Sequence, residues 1–257
     1  MNILIISGAI ASAMGANSMS GDNERGKENW DGTLEFSAST ATGNTENSVL
    51  GAKFNARRVL GRYTHDIASG ANYAETDVEA DDGEDDRTVT QNNWFAQYRG
   101  ELQTGDRSFA YVRGRYEEDE FSGFQSRAFL GVGLGHTAVE RDTMQWDLLA
   151  GPGVQYVVLE PSEDEVMEDF EDEEITVALY AGSDFEWVMR ENVSLEHELD
   201  LTWADRNSTI STEASLVTDL TETISTRLSY FIKHETDPPE GREDTDTLLR
   251  ASVVYGF

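Results

Sequence analysis

The C-terminal stretch Leu249-Arg-Ala-Ser-Val-Val-Tyr-Gly-Phe257 alternates residue by residue. Phe257, Tyr255, Val253, Ala251 and Leu249 share one face, and Arg250, Ser252 and, further back, Asp246 share the other. A period of two is the mark of a β-strand with one apolar and one polar side. The same alternation recurs upstream. Val193, Leu195, Leu199, Leu201 and Trp203 oppose Glu196, Glu198 and Asp200, and Ile224, Leu228, Tyr230 and Ile232 oppose Ser225, Arg227, Ser229 and Lys233. Trp146, Leu148, Ala150, Val154, Tyr156 and Val158 oppose Asp147, Gly151, Gly153 and Gln155.

Working back to Trp30, the breaks between such stretches predict about twelve strands, each near or above the ~9–11 residues with which a tilted strand crosses a bilayer. The expected spans are 30–41, 46–58, 62–76, 88–102, 108–119, 124–139, 143–159, 173–188, 193–205, 208–219, 223–236 and 244–257. Their connections alternate in character. Tight turns stand at Val59-Leu60-Gly61, Gly105-Asp106, Arg141-Asp142, Glu191-Asn192 and Thr221-Glu222. Longer, acidic connections at 75–86, 160–174 and 237–243 interleave with them. Short turns at one rim and long loops at the other are the pattern of an outer-membrane barrel, and an even strand count brings both termini to the short-turn rim.

The reading is therefore an all-β fold: a transmembrane, antiparallel, up-and-down β-barrel with its lipid face apolar and its lumen polar. In hydrocarbon every backbone N–H and C=O must be paired within the protein, so strands span a bilayer only as a closed barrel. Trp30, Tyr63, Trp187, Trp203 and Tyr255 fall near strand ends, as interfacial aromatic girdles do. A soluble β-sandwich would bury the same aromatics in a core, but it gives no reason for the sorting of loop lengths.

Three segments follow. Residues 1–16, MNILIISGAIASAMGA, read as a signal peptide, with an apolar Ile3–Ile10 core and small residues at the cleavage region. Residues 17–29 form a short periplasmic leader, and 30–257 form the barrel. Asp and Glu number 50 against 19 Lys and Arg, a formal net charge of −31, which excludes a nucleic-acid partner by repulsion. With no cysteine there is no disulfide, zinc–thiolate site, iron–sulfur cluster or thiol nucleophile. No cofactor is expected.

Trp30-Asp-Gly, Thr42-Gly-Asn-Thr45, Arg115-Tyr-Glu-Glu-Asp-Glu-Phe121, Gly131-Val-Gly-Leu-Gly135, Ala150-Gly-Pro-Gly-Val-Gln-Tyr156, Asp237-Pro-Pro-Glu-Gly241, Thr245-Asp-Thr247 and Val254-Tyr-Gly-Phe257 occur in that order. The set resembles the YdiY-like family of salt-induced outer membrane proteins. The resemblance implies a barrel in a bacterial outer membrane and a link to salt or osmotic response. It carries no catalytic residues over.

Candidate functional residues sit on the face that would line the lumen. Arg99, Arg113, Arg115 and Arg127 form a basic wall on three neighbouring strands; Asp147, Asp184, Glu186, Glu196, Glu198 and Asp200 form an acidic wall on the next three. Such walls either hold a transverse field that orients small polar solutes or neutralise each other and plug the barrel. Gly131, Gly133, Gly135, Gly151 and Gly153 point inward, where they make room for Phe95, Tyr111 and Phe129. Val253, Tyr255 and Phe257 read as a C-terminal signal for the barrel-assembly machinery.

Lipids of the outer membrane, lipopolysaccharide and divalent cations at the acidic loops are the expected partners. Asp77-x-Glu79-x-Asp81 hints at a calcium loop, but Asp82 stands where such a loop needs glycine. The four histidines, His65, His136, His197 and His234, offer no Ser–His–acid spacing, so no catalytic residue is assigned and no enzyme is expected. The function expected is a structural barrel of the envelope with a narrow pore for small polar solutes. The alternatives are a substrate-selective channel and, distantly, an outer-membrane hydrolase.

Overall fold

The computed structural model describes residues 30–41, 47–79, 85–119, 124–159, 173–205, 207–237 and 244–257. The expected signal peptide and leader, and most of the acidic loops at 160–172 and 238–243, lie outside the described residues. The strands are β1 (Asp31–Ala41), β2 (Asn47–Leu60), β3 (Tyr63–Glu79), β4 (Asp85–Gln103), β5 (Ser108–Asp119), β6 (Phe124–Arg141), β7 (Met144–Leu159), β8 (Glu173–Arg190), β9 (Val193–Ala204), β10 (Thr209–Asp219), β11 (Ile224–Glu235) and β12 (Thr245–Gly256). Each pairs antiparallel with its neighbours in sequence, and β12 returns to β1, so the sheet closes.

The alternation read from the sequence sets which way each residue faces. Leu130, Val132, Leu134, Val177 and Leu179 stand on the outer wall, with Leu134 69% and Val177 74% exposed. On the inner side are buried polar residues such as Glu35, Lys53, Arg99, Arg113, Glu213 and Arg227. This is the inverse of a soluble barrel, and it fits a cylinder whose surroundings are hydrocarbon. Trp30, Tyr63, Trp187 and Tyr255 face outward at the tight-turn rim, and Trp94, Tyr116 and Trp203 face outward toward the long-loop rim. The turn between β2 and β3 contains Gly61 at φ +62°, a left-handed conformation that glycine adopts without steric cost.

One detail differs from the sequence expectation. β3 runs on to Glu79 and β4 starts at Asp85, so Thr76↔Thr88, Asp77↔Arg87, Val78↔Asp86 and Glu79↔Asp85 pair where an acidic loop was expected. Asp77 and Glu79 thus belong to a strand, while Asp81 and Asp82 lie outside the described residues. Inter-strand pairing thus continues past the spans expected from the sequence. Register shifts fall close to strand ends, at Ala74/Glu75, Glu118/Asp119, Phe124/Ser126, Thr137/Val139 and Val188/Arg190.

Candidate functional site

The site is the lumen. Alternate positions of β4 and β5 carry Arg99 and Arg113 inward, each 6% exposed. Arg99 Nη1 lies 2.8 Å from Asp184 on β8, and its Nε lies 3.0 Å from Glu101 and 3.8 Å from Asp66. Arg113 Nη1 lies 2.7 Å from Asp200 on β9, while Nε and Nη2 donate to Gln97 Oε1. β4 and β8 are four strands apart, as are β5 and β9, so both ion pairs span the interior. The Arg113 guanidinium also sits over the Tyr180 ring, 4.4 Å from its centroid, and the Tyr180 hydroxyl donates to Asp200.

The remaining wall residues find other partners. Arg127 reaches Glu235 on β11 at 3.3 Å and Glu117 at 3.7 Å, with its guanidinium 3.9 Å from the Phe124 ring centroid. Arg115 pairs with Glu117 of its own strand at 2.6 Å. Glu196 pairs at 2.8 Å with Arg227, which also faces Glu35 at 3.5 Å. Asp147 accepts from Thr137 and Gln145 at 2.6 and 2.7 Å. Glu198 stands directly opposite Asp184 and Glu213 in register. Glu186, 5% exposed and opposite Glu196, has no hydrogen bond or ion pair with another described residue.

The basic and acidic walls therefore meet through two pairs instead of standing apart. Glu35, Glu117, Arg227, Lys233 and Glu235 complete the network, and sequence reasoning did not place them in the walls. The signal was present for Arg227 and Lys233, whose strand alternation already put them on the polar face. Isolated, such charges would be costly to bury; paired across a narrow lumen, they hold each other.

Apolar packing fills another part of the interior. Phe109, Tyr111, Leu149 and Tyr180 form a buried cluster, with Phe129 packed against it. Gly153 supplies the space: a Cβ there would stand 2.5 Å from Phe129 Cζ and 2.9 Å from the Leu130 carbonyl oxygen. Beside this cluster lies a cavity of about 80 Å³ lined by Arg113, Arg115, Arg127, Tyr180, Asp200 and Lys233 among others.

Among the described residues no group of three or more His, Cys, Asp or Glu is arranged to hold a metal ion. His136 Nδ1 is 3.3 Å from Ser108 Oγ, with no carboxylate hydrogen-bonded to that imidazole among the described residues. The other imidazoles meet Tyr98, Thr212 and Thr245.

The family model described as "Protein of unknown function, DUF481" matches residues 34–257. The chain belongs to the DUF481 family. No curated protein matches it. Among solved structures it is similar to the COG4313 outer membrane channel from Pseudomonas putida F1, with TM-score 0.52, 10% identity, and coverage of 89% of this chain and 95% of that one. It is also similar to the NanC porin, with TM-score 0.46, 9% identity, and coverage of 89% and 98%. A third is the translocator domain of the autotransporter NalP from Neisseria meningitidis, with TM-score 0.47, 9% identity, and coverage of 89% and 86%. At these identities the likeness extends to the fold of this DUF481 barrel and no further.

Proposed function

We propose that the protein is a barrel of the bacterial outer membrane, structural in character, whose lumen is held shut at mid-height and passes at most small polar solutes. The observation that carries this reading is the pair of ion pairs across the lumen, Arg99–Asp184 and Arg113–Asp200. Charged residues joined wall to wall leave a water-filled path only where they part.

In this reading the termini are periplasmic, the long acidic loops face outward, and Val253, Tyr255 and Phe257 are presented to the barrel-assembly machinery. Lipopolysaccharide and divalent cations meet the acidic rim. The YdiY-like link to salt is part of the same proposal, supported by the net charge of −31. No catalytic role is proposed.

Planar-bilayer recording tests it. The native barrel is expected to conduct little, and Arg99→Ala with Arg113→Ala to raise conductance and shift selectivity toward cations. A large open conductance in the native protein would instead favour a substrate-selective channel, for which the cavity beside Arg113 is the candidate binding point.

A further inference from the structure

One stretch of the outer wall is concave. A groove of about 970 Å³ runs across β10, β11, β12, β1, β2 and β3 to the edge of β4. Its floor includes Ala38, Ala52, Ala71 and Ala251, flanked by Phe36, Leu50, Tyr73, Leu216, Leu228 and Val253. These residues occupy two adjacent register rows. One is Leu216↔Leu228↔Ala251↔Ala38↔Leu50↔Tyr73, and the other is Thr218↔Thr226↔Val253↔Phe36↔Ala52↔Ala71. Paired alanines, Ala38 with Ala251 and Ala52 with Ala71, make the depression. On the far side of the barrel the outer wall carries Leu130, Leu134, Val154 and Val177 instead.

The same place is where the wall is least complete. β1 and β12 pair over six positions, Thr33↔Gly256 to Ala38↔Ala251, and Gly32 with Phe257 extends the seam by one at the tight-turn end. Beyond Ala38, β1 runs on to Ala41 paired with β2, and above Ala251, β12 extends back to Thr245 paired with β11. Among the described residues the two facing edges make no further pair. They leave a notch toward the long-loop rim, and strand edges left without a neighbour present N–H and C=O groups in want of partners. In hydrocarbon those groups need a polar partner.

We propose that this groove is a lipid site, with a fatty acyl chain of a bilayer lipid lying along the alanine floor and its ester end at the notch. The inference rests on the membrane reading above. Position selects the occupant, because the groove opens onto the layer where acyl chains are the solvent. An amphipathic occupant also answers both features at once, burying methylenes on alanine and offering an ester oxygen to the unpaired edge. The convex wall of a second barrel would leave the groove unfilled.

Native mass spectrometry of the full-length barrel, purified in detergent and mixed with dipalmitoyl phosphatidylethanolamine, tests the site. The native protein is expected to retain one lipid after others are stripped. Ala38→Leu with Ala251→Leu, or Ala52→Leu as a second filling variant, should lower that retention about tenfold through lost methylene burial, while Ala150→Leu on the far wall leaves it unchanged. Equal retention in the filled variants, no retained lipid in the native protein, or a dimer that the filling variants abolish would overturn the proposal. Heat-dependent mobility in gels, followed in the same samples, separates these outcomes from failure of the membrane reading itself.

Discussion

The Arg113 guanidinium lies 2.7 Å from the Asp200 carboxylate although the two strands that carry them are four apart round the barrel. Removing one partner strands the other in a place where water is scarce. Arg113→Ala or Asp200→Ala should each destabilise the barrel by about 3–5 kcal/mol, whereas Arg113→Met with Asp200→Leu should cost much less. Urea unfolding followed by tryptophan emission reads the difference. A double variant as unstable as the sum of the singles would mean that the pair is not coupled.

The same pair should be indifferent to salt. Raising ionic strength from 0.1 to 1 M shortens the Debye length from ~10 to ~3 Å, which matters for charges in water and little for buried ones. Arg107 and Glu140, 3.8 Å apart and 53% and 65% exposed by side chain, provide the control. Their coupling should be at most ~1 kcal/mol and should vanish in high salt. Double-mutant cycles at both sites, run at two salt concentrations, compare them; an Arg113–Asp200 coupling that disappears in high salt would show the lumen to be wet.

Gly153→Val should cost about 1–3 kcal/mol, because the Phe129 ring and the Leu130 carbonyl already occupy the space a side chain would take. Gly105→Ala, in an open turn where the nearest atom is 3.9 Å away, should be close to neutral. Thermal loss of the compact gel form distinguishes the two. Equal mobility profiles would remove the packing argument.

Strand count, facing and closure were legible because a membrane barrel writes them twice, in period-two alternation and in the sorting of turns. Arg99 and Arg113 could be placed inward from their own strands. Their partners could not, since Asp184 and Asp200 come near only after the sheet has tilted and closed, and no local pattern encodes that registration. Arg127 shows the limit clearly. Its neighbours in sequence order suggested the acidic wall of β7–β9, yet it pairs with Glu235 on β11. The β1–β12 notch was equally hidden, because ladder length at the closing seam depends on two strands more than 200 residues apart.

Phe257 closes that seam. Its backbone exchanges two hydrogen bonds with Gly32, at 2.9 and 3.0 Å, and its ring lies against Gly32. Deleting Phe257 should lower the yield of inserted barrel, measured as the heat-modifiable fraction in membranes. Phe257→Tyr, which keeps ring and backbone, should restore most of it. Normal insertion of the truncated chain would show that neither the contact nor the proposed assembly signal matters.

The orientation of the wall has its own test at Leu134, which is 69% exposed near the middle of β6. On a water-soluble protein an exposed leucine exchanged for arginine is close to neutral, since the new charge is solvated and no packing is lost. On a barrel in a bilayer the same exchange puts a cation into acyl chains, which costs about 2–4 kcal/mol near the midplane and falls toward 0–1 near the interfaces. Leu134→Arg should therefore destabilise strongly, and Tyr63→Arg, at the tight-turn rim, only slightly. Folding titrations in phosphatidylcholine vesicles give both values. If Leu134→Arg folded as stably as the native chain, the outer wall would be facing water, and the lipid groove and the pore would fall with it.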